Sequence, residues 1–339
     1  MRSRRTAFSV AVLATTTLIL SGCGGSSSSP AASGISSGIS SGASSGTPAK
    51  AASSAGNELV ALADDQHLQT VDNVVPVVNA KVDAPALESA LNAVSKVLTT
   101  DDLLTMNKAA DLQRKSPAAV AKGYVEDKKL GNGVSGGSGK VVVGAANFNE
   151  SQILANIYAD VLKASGFDAS VKPVTSREVY EPALEQGQIS VFAEYAGTLT
   201  EFLNKKANGA NATPMATGDL DATVTALRSL AGKKGLKVLE PSQAADQNAF
   251  AVTKTFAQAN NLHTLSDLKS YQGDLVLGGP PECPTRSFCQ LGLEKSYGLH
   301  FTGFQSLDAG GPLTKAALKS GKVQIGLVFS TDSSLSSLG

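Results

Sequence analysis

The chain has 339 residues, 42% of them hydrophobic, and its 29 basic side chains balance 29 acidic ones. That length supports one large domain or two ordinary ones. Charge spread without blocks of one sign argues against nucleic acid or an anionic membrane surface as a partner.

In chain order, Arg2, Arg4 and Arg5 precede an apolar run from Ala7 to Leu20 that is too short to span a bilayer comfortably. The run closes on Leu20-Ser21-Gly22-Cys23, the pattern of a bacterial lipoprotein signal. Residues 1–22 are therefore expected to be a removed signal peptide, with Cys23 carrying the lipid that anchors the chain to the membrane with its bulk on the extracytoplasmic side. No later segment reaches the roughly 20 apolar residues of a membrane helix.

Residues 23–56 are nearly all Ser, Gly and Ala and read as a flexible linker, because such a composition buries too little apolar area to offset the entropy of ordering. Gly34-Ile35-Ser36-Ser37-Gly38 and its repeat match the Gly-x-Ser-x-Gly pattern of serine hydrolases. That pattern works only on a strained strand-to-helix turn, which a low-complexity tract does not provide.

Order is expected from about Glu58. Leu59–Leu62 and Val74–Val78 read as strands, and Ala86–Leu98 repeats apolar residues at helical spacing. Thr99-Thr100-Asp101-Asp102 opens a second helix toward Ala110, and Ser116-Pro117 a third toward Lys129. Gly131–Gly139 is a second linker. Its Gly139-Lys140 fails as a phosphate loop, with Val134 where Gly is needed and Val141 where Ser or Thr is needed.

From Lys140 the pattern becomes βαβαβα: strands at Lys140–Gly144, Ala169–Val174 and Ser190–Phe192, and helices ending at Gly166, over Glu178–Gln186 and after Gly197. Ligands in such sheets sit beyond the carboxyl ends of the strands, which points to the loops Ala146–Asn149 and Tyr195–Thr198. A second α/β unit follows, with strands at Ala249–Val252, Asp274–Leu277 and Val323–Phe329, a helix starting at Ser266–Lys269, and a helix over Gly311–Ser320.

Cys283 and Cys289, six positions apart, are expected to pair outside the reducing cytoplasm. His67, His263 and His300 are isolated, so no metal site is expected, and no nucleophile with its base and no cofactor loop is visible. The chain is not expected to be an enzyme.

Glu194-Tyr195-Ala196-Gly197-Thr198, Asn147-Phe148-Asn149-Glu150-Ser151 and Phe329-Ser330-Thr331-Asp332 resemble the glycine betaine and osmoprotectant substrate-binding proteins of ABC importers. The likeness covers most of 140–339. The stretch from Glu58 to Leu130, with Leu62-Ala63-Asp64-Asp65 and Asp72-Asn73-Val74-Val75, is similar to the carboxyl-terminal part of that family, placed first here. This order suggests a circular permutation, with the usual ends joined through Gly131–Gly139.

The resemblance implies an α/β, two-lobed fold of the type II periplasmic-binding-protein kind. Lobe I is expected from 57–130 and 140–245, lobe II from 246–328, and a return crossover with a C-terminal helix from 329–339. It implies a small osmolyte ligand such as glycine betaine or another quaternary amine, no cofactor, and ABC permease transmembrane subunits as partners. A different small polar solute and a non-transport envelope lipoprotein are the alternatives.

Position by position, Tyr195 matches a cage tyrosine and Phe329 another aromatic position. Asn248 and Asp72 stand where relatives carry Tyr, and Asp246 stands where they use Asp or Asn. Asn147, Phe148 and Thr198 complete the expected lining. Arg286 either clasps a ligand carboxylate or is an ordinary paired surface arginine. Two rings with two carboxylates would hold a cation partly by charge pairing.

Overall fold

A computed structural model describes residues 57–336. Cys23, the leader and the whole of the 23–56 linker lie outside the described residues, as do the last three residues.

In chain order the elements are β1 (Leu59–Ala61), β2 (Val74–Asn79), α1 (Pro85–Val97), α2 (Thr100–Asp111), α3 (Pro117–Asp127), β3 (Lys140–Ala145), α4 (Asn149–Ala164), β4 (Asp168–Pro173), α5 (Arg177–Glu185), β5 (Val191–Tyr195), α6 (Ala196–Asn208), α7 (Leu220–Gly232) and β6 (Leu236–Val238). They continue with β7 (Asn248–Thr253), α8 (Lys254–Ala259), β8 (Val276–Gly279), α9 (Gln290–Tyr297), β9 (Gly303–Ser306), α10 (Pro312–Lys319), β10 (Ile325–Phe329) and β11 (Leu335–Ser336). The helix starts follow local chemistry. Thr99 and Asp102 form a reciprocal capping box on α2, and the Ser116 hydroxyl accepts from the Ala119 N–H ahead of Pro117 on α3.

Two sheets result, one in each lobe. The lobe I sheet runs β4-β3-β5-β2-β6, and the lobe II sheet runs β11-β1-β7-β10-β8-β9. In lobe I, β4, β3 and β5 are parallel and β2 runs against both β5 and β6. Lobe II repeats the scheme: β9, β8 and β10 are parallel, and β7 runs against both β10 and β1. The fold is therefore α/β and two-lobed, of the type II periplasmic-binding-protein kind.

Lobe I is built around α4, whose Ile153, Leu154, Ile157, Tyr158, Val161 and Leu162 are buried. Leu87, Leu91, Val94 and Leu98 from α1 and its end join the same core, as do Leu103 of α2 and Val120 and Tyr124 of α3. At about 1.5–3 kcal/mol for each fully buried large aliphatic side chain, this interface fastens the early segment firmly to the later one. Lobe II has its own core of Phe250, Val252, Leu277, Leu293, Tyr297, Ile325 and Leu327.

The lobe boundaries differ from the sequence expectation at both ends. Leu59–Ala61 does not join lobe I with the rest of 57–130; it pairs with β7 as a strand of the lobe II sheet. The helix expected within 329–339 is not formed over the described residues, where Leu335–Ser336 instead pairs in parallel with Leu59 and Val60. In both cases backbone pairing within the sheet prevails over local pattern: three residues of β1 and two of β11 are too few to show a period. The chain crosses between lobes over 62–73 and 239–247, and these crossings touch through the antiparallel bridge Asn73–Ala245.

Candidate ligand-binding cleft

A cavity of about 990 Å³ opens between the lobes. The carboxyl end of β3 feeds the Ala146–Phe148 loop into it, the end of β5 supplies Tyr195 and Thr198 at the start of α6, and the end of β10 supplies Phe329. Asp72 and Asp246 come from the two crossovers. Their backbones are adjacent, the Asp246 N–H donating to the Asp72 carbonyl at 3.1 Å.

The structure places Asp72, Asn147, Phe148, Tyr195, Thr198, Asp246, Asn248, Arg286 and Phe329 on the wall of this cavity. Phe148 and Phe329 meet across the lobes with ring centroids 5.4 Å apart. Asn248 is turned away from a free role, its amide donating to the Phe288 carbonyl at 2.9 Å.

Asp72 caps a helix as well as lining the cavity. Its carboxylate accepts the Thr198 N–H at 2.9 Å and the Thr198 hydroxyl, satisfying free donors in the first turn of α6. Burial dominates its ionisation, pushing it up to about 7, while the Thr198 bonds and the Arg177 charge pull the other way. Gly197 is required here, since a Cβ would stand 2.4 Å from both Thr70 Oγ1 and the Val71 carbonyl oxygen.

Behind the lining lies a polar layer that sequence reasoning did not single out. Glu150, in the first turn of α4, is buried and accepts from Tyr195 Oη at 2.6 Å, Asn107 Nδ2 at 2.6 Å and Thr331 Oγ1 at 2.9 Å. Asp246 accepts from the Ser330 hydroxyl at 3.0 Å and the Thr331 N–H at 2.9 Å. Arg177 holds Glu194 in a fork, at 2.9 and 2.8 Å, and Tyr180 donates to the same carboxylate at 2.8 Å. The signal for Glu150 was available: a carboxylate in the first turn of a helix that starts at the ligand end of a sheet.

Arg286 is not poised as a ligand clasp. Its guanidinium grips Glu178 of lobe I, with Nη2 at 3.0 Å and Nε at 3.2 Å, and also reaches Glu282 at 3.1 Å. Glu178 loses hydration through partial burial, yet Arg286 holds its carboxyl below the ordinary value. The sequence offered this arginine's alternatives without the partner, because Glu178 lies 108 residues away.

Cys283 and Cys289 are joined in a disulfide. The bridge closes a loop that presents Pro284, Thr285, Arg286, Ser287 and Phe288 to the cavity. Phe202 and Phe288 also line it, so the wall carries more rings than Tyr195 and Phe329 alone. Neither was flagged by the resemblance, and a Phe inside a short disulfide loop is the cue that was missed.

Two α/β lobes joined by paired crossovers around a ring- and carboxylate-lined cavity define a two-lobed solute-binding protein. The family described as the substrate-binding domain of the ABC-type glycine betaine transport system matches residues 50–127 and 139–339, so the chain belongs to that family of binding domains rather than to an enzyme family.

A glycine-betaine-binding protein of Pseudomonas aeruginosa is 28% identical over 207 residues, covering 57% of this chain and 62% of the relative. This chain thus spans less than two thirds of that relative's length. Among solved structures, a glycine betaine/carnitine/choline ABC transporter protein is 24% identical with a TM-score of 0.37, covering 57% of this chain and 69% of that one. An OppA complex of Haemophilus influenzae is 12% identical with a TM-score of 0.25, covering 54% and 44%.

Proposed function

We propose that this protein is the membrane-anchored, extracytoplasmic receptor of an ABC importer, binding glycine betaine or a related quaternary amine between its lobes and delivering it to the permease. The observation that carries the reading is the cleft itself, where Phe148, Tyr195, Phe288 and Phe329 stand beside Asp72 and Asp246. A quaternary ammonium has no N–H to donate, so ring faces and nearby negative charge are the groups that attract it. Neither Asp72 nor Asp246 has a Lys or Arg ion pair among the described residues, and both line the cavity.

The lipid at Cys23 and the 23–56 linker would tether the receptor while leaving it free to reach a permease. Opening about the paired crossovers would part Phe329 from Phe148 to admit the ligand, and closure would bring the lobes back together. The permuted order is part of the same proposal. It is supported by the two-piece family match and by β1, which fills in the lobe II sheet the place that β6, following β5, fills in lobe I.

Isothermal titration of the mature chain with glycine betaine, choline, carnitine and proline betaine tests the reading. Binding of at least one member, lost on Tyr195→Ala and on Phe329→Ala, is the expected outcome. Silence across the panel contradicts it.

A further inference from the structure

Glu150 and Asp246 are both carboxylic acids, both at least nine-tenths buried, and both accept from neutral donors: Tyr195, Asn107, Ser330 and Thr331. Thr331 ties the two together, its N–H donating to Asp246 and its hydroxyl to Glu150. Asp246 faces the cavity, with Glu150 standing behind it.

Among the described residues, the charged and titratable groups around them supply no compensating cation. From α5, Arg177 is committed to Glu194. From the segment after β10, Asp332 is matched by Lys315 of α10. From the first crossover comes Asp72, a further acid, and from α2 Asp111 bonds the neutral amide of Asn149. Two adjacent buried carboxyls in such surroundings cannot both ionise without large cost.

We infer that Glu150 and Asp246 hold one exchangeable proton between them, and that a cationic ligand entering the cleft takes its place. The inference rests on the functional reading above. Burial followed by mutual repulsion raises Asp246 well above the ordinary carboxyl range, and burial raises Glu150 as well. In the exchange one positive charge enters the cleft and one proton leaves the pair for the buffer, so the local charge is conserved. A zwitterion or monocation that puts its ammonium against Asp246 drives the exchange, and an uncharged ligand of the same shape does not.

The sign follows from linkage. Below the ligand-free ionisation of the pair, proton and cation compete, so the dissociation constant falls by up to about tenfold per pH unit as pH rises, then levels off once the pair is ionised. Glu150→Gln keeps the side chain's shape while removing one of the two acids. Asp246 then ionises without a competitor, and the variant binds cations more tightly than the natural chain at acidic pH. A purely structural role for Glu150 predicts the opposite.

The test is calorimetry of the mature chain with choline, glycine betaine and the uncharged tert-butyl analogue of choline, from about pH 5.5 to about pH 8, in buffers of different ionisation enthalpy. Infrared spectra of the ligand-free protein, with and without Asp246→Asn, show whether a protonated carboxyl is present. Expected are about one proton released per cation bound at the acidic end, none with the uncharged analogue, and a flattened pH profile in Glu150→Gln. An acid carbonyl band that disappears in Asp246→Asn is expected as well. Cation binding with no proton release at any pH overturns the exchange while leaving the functional reading intact, as does a pH slope unchanged in Glu150→Gln. Absence of the acid band throughout that range overturns the shared proton even if Glu150→Gln fails to fold. Failure of choline and glycine betaine, and of carnitine and proline betaine with them, to bind overturns the functional reading and, with it, the exchange.

Discussion

Glu178→Gln isolates the contact that bridges the mouth of the cleft. In the natural chain Arg286 of lobe II holds Glu178 of lobe I through Nη2 at 3.0 Å and Nε at 3.2 Å. The substitution removes the charge across the lobes, and Arg286 keeps Glu282 at 3.1 Å within lobe II, so no buried arginine is orphaned. The side chains are 25% and 41% exposed, so solvent screens the pair and the applicable range is that of surface ion pairs, about 0.2–1 kcal/mol. Forked geometry places it near the upper end, about 1 kcal/mol, a shift of roughly fivefold in an equilibrium. Because the contact bridges the two lobes, that free energy should act on the open–closed balance and hardly on the stability of either lobe. Stopped-flow dissociation of a bound quaternary amine should therefore quicken by about three- to fivefold, with association nearly unchanged and the gap from the natural chain narrowing at high salt. An unchanged dissociation rate, or a salt-independent difference, would refute the latch.

Other outcomes follow from the same geometry. Replacing both Cys283 and Cys289 by Ser should cost about 2 kcal/mol of unfolding free energy, from the short loop they close, and weaken ligand binding through the freed Phe288 wall; denaturant melts and titration measure the two effects. Gly197→Ala should destabilise by about 1–3 kcal/mol, because the new methyl meets Thr70 and Val71 at 2.4 Å, and an unchanged melting midpoint would remove that constraint. A reordered chain carrying 140–336 ahead of 57–130 through a short linker should fold and bind like the natural one, and its failure to fold would count against the permutation.

Much of the fold was legible because its signals are local and repeated. The apolar faces of α1 and α4, the Thr99–Asp102 cap and the β-branched run of β3 each declare themselves within a dozen residues. The lobe assignment of Leu59–Ala61 was not legible, since its partners, Ala251–Thr253 and Leu335–Ser336, both lie far along the chain. Asp72, Tyr195, Asp246, Asn248 and Phe329 were read position by position from a family pattern and the other four from the strand-end and disulfide loops, and the structure gathers the nine around one cavity. What pattern could not supply was the layer behind them. Glu150 joins Tyr195, Asn107 and Thr331 from three distant segments, and only the folded chain shows that each donates to the same carboxyl group.

The most direct measurement is a crystal structure of the mature protein grown with choline or glycine betaine. The account predicts density for the ammonium group in the interlobe cavity, against the Tyr195 and Phe329 rings and within reach of Asp246. Density for the ligand elsewhere, or an empty cleft at saturating ligand, would contradict it.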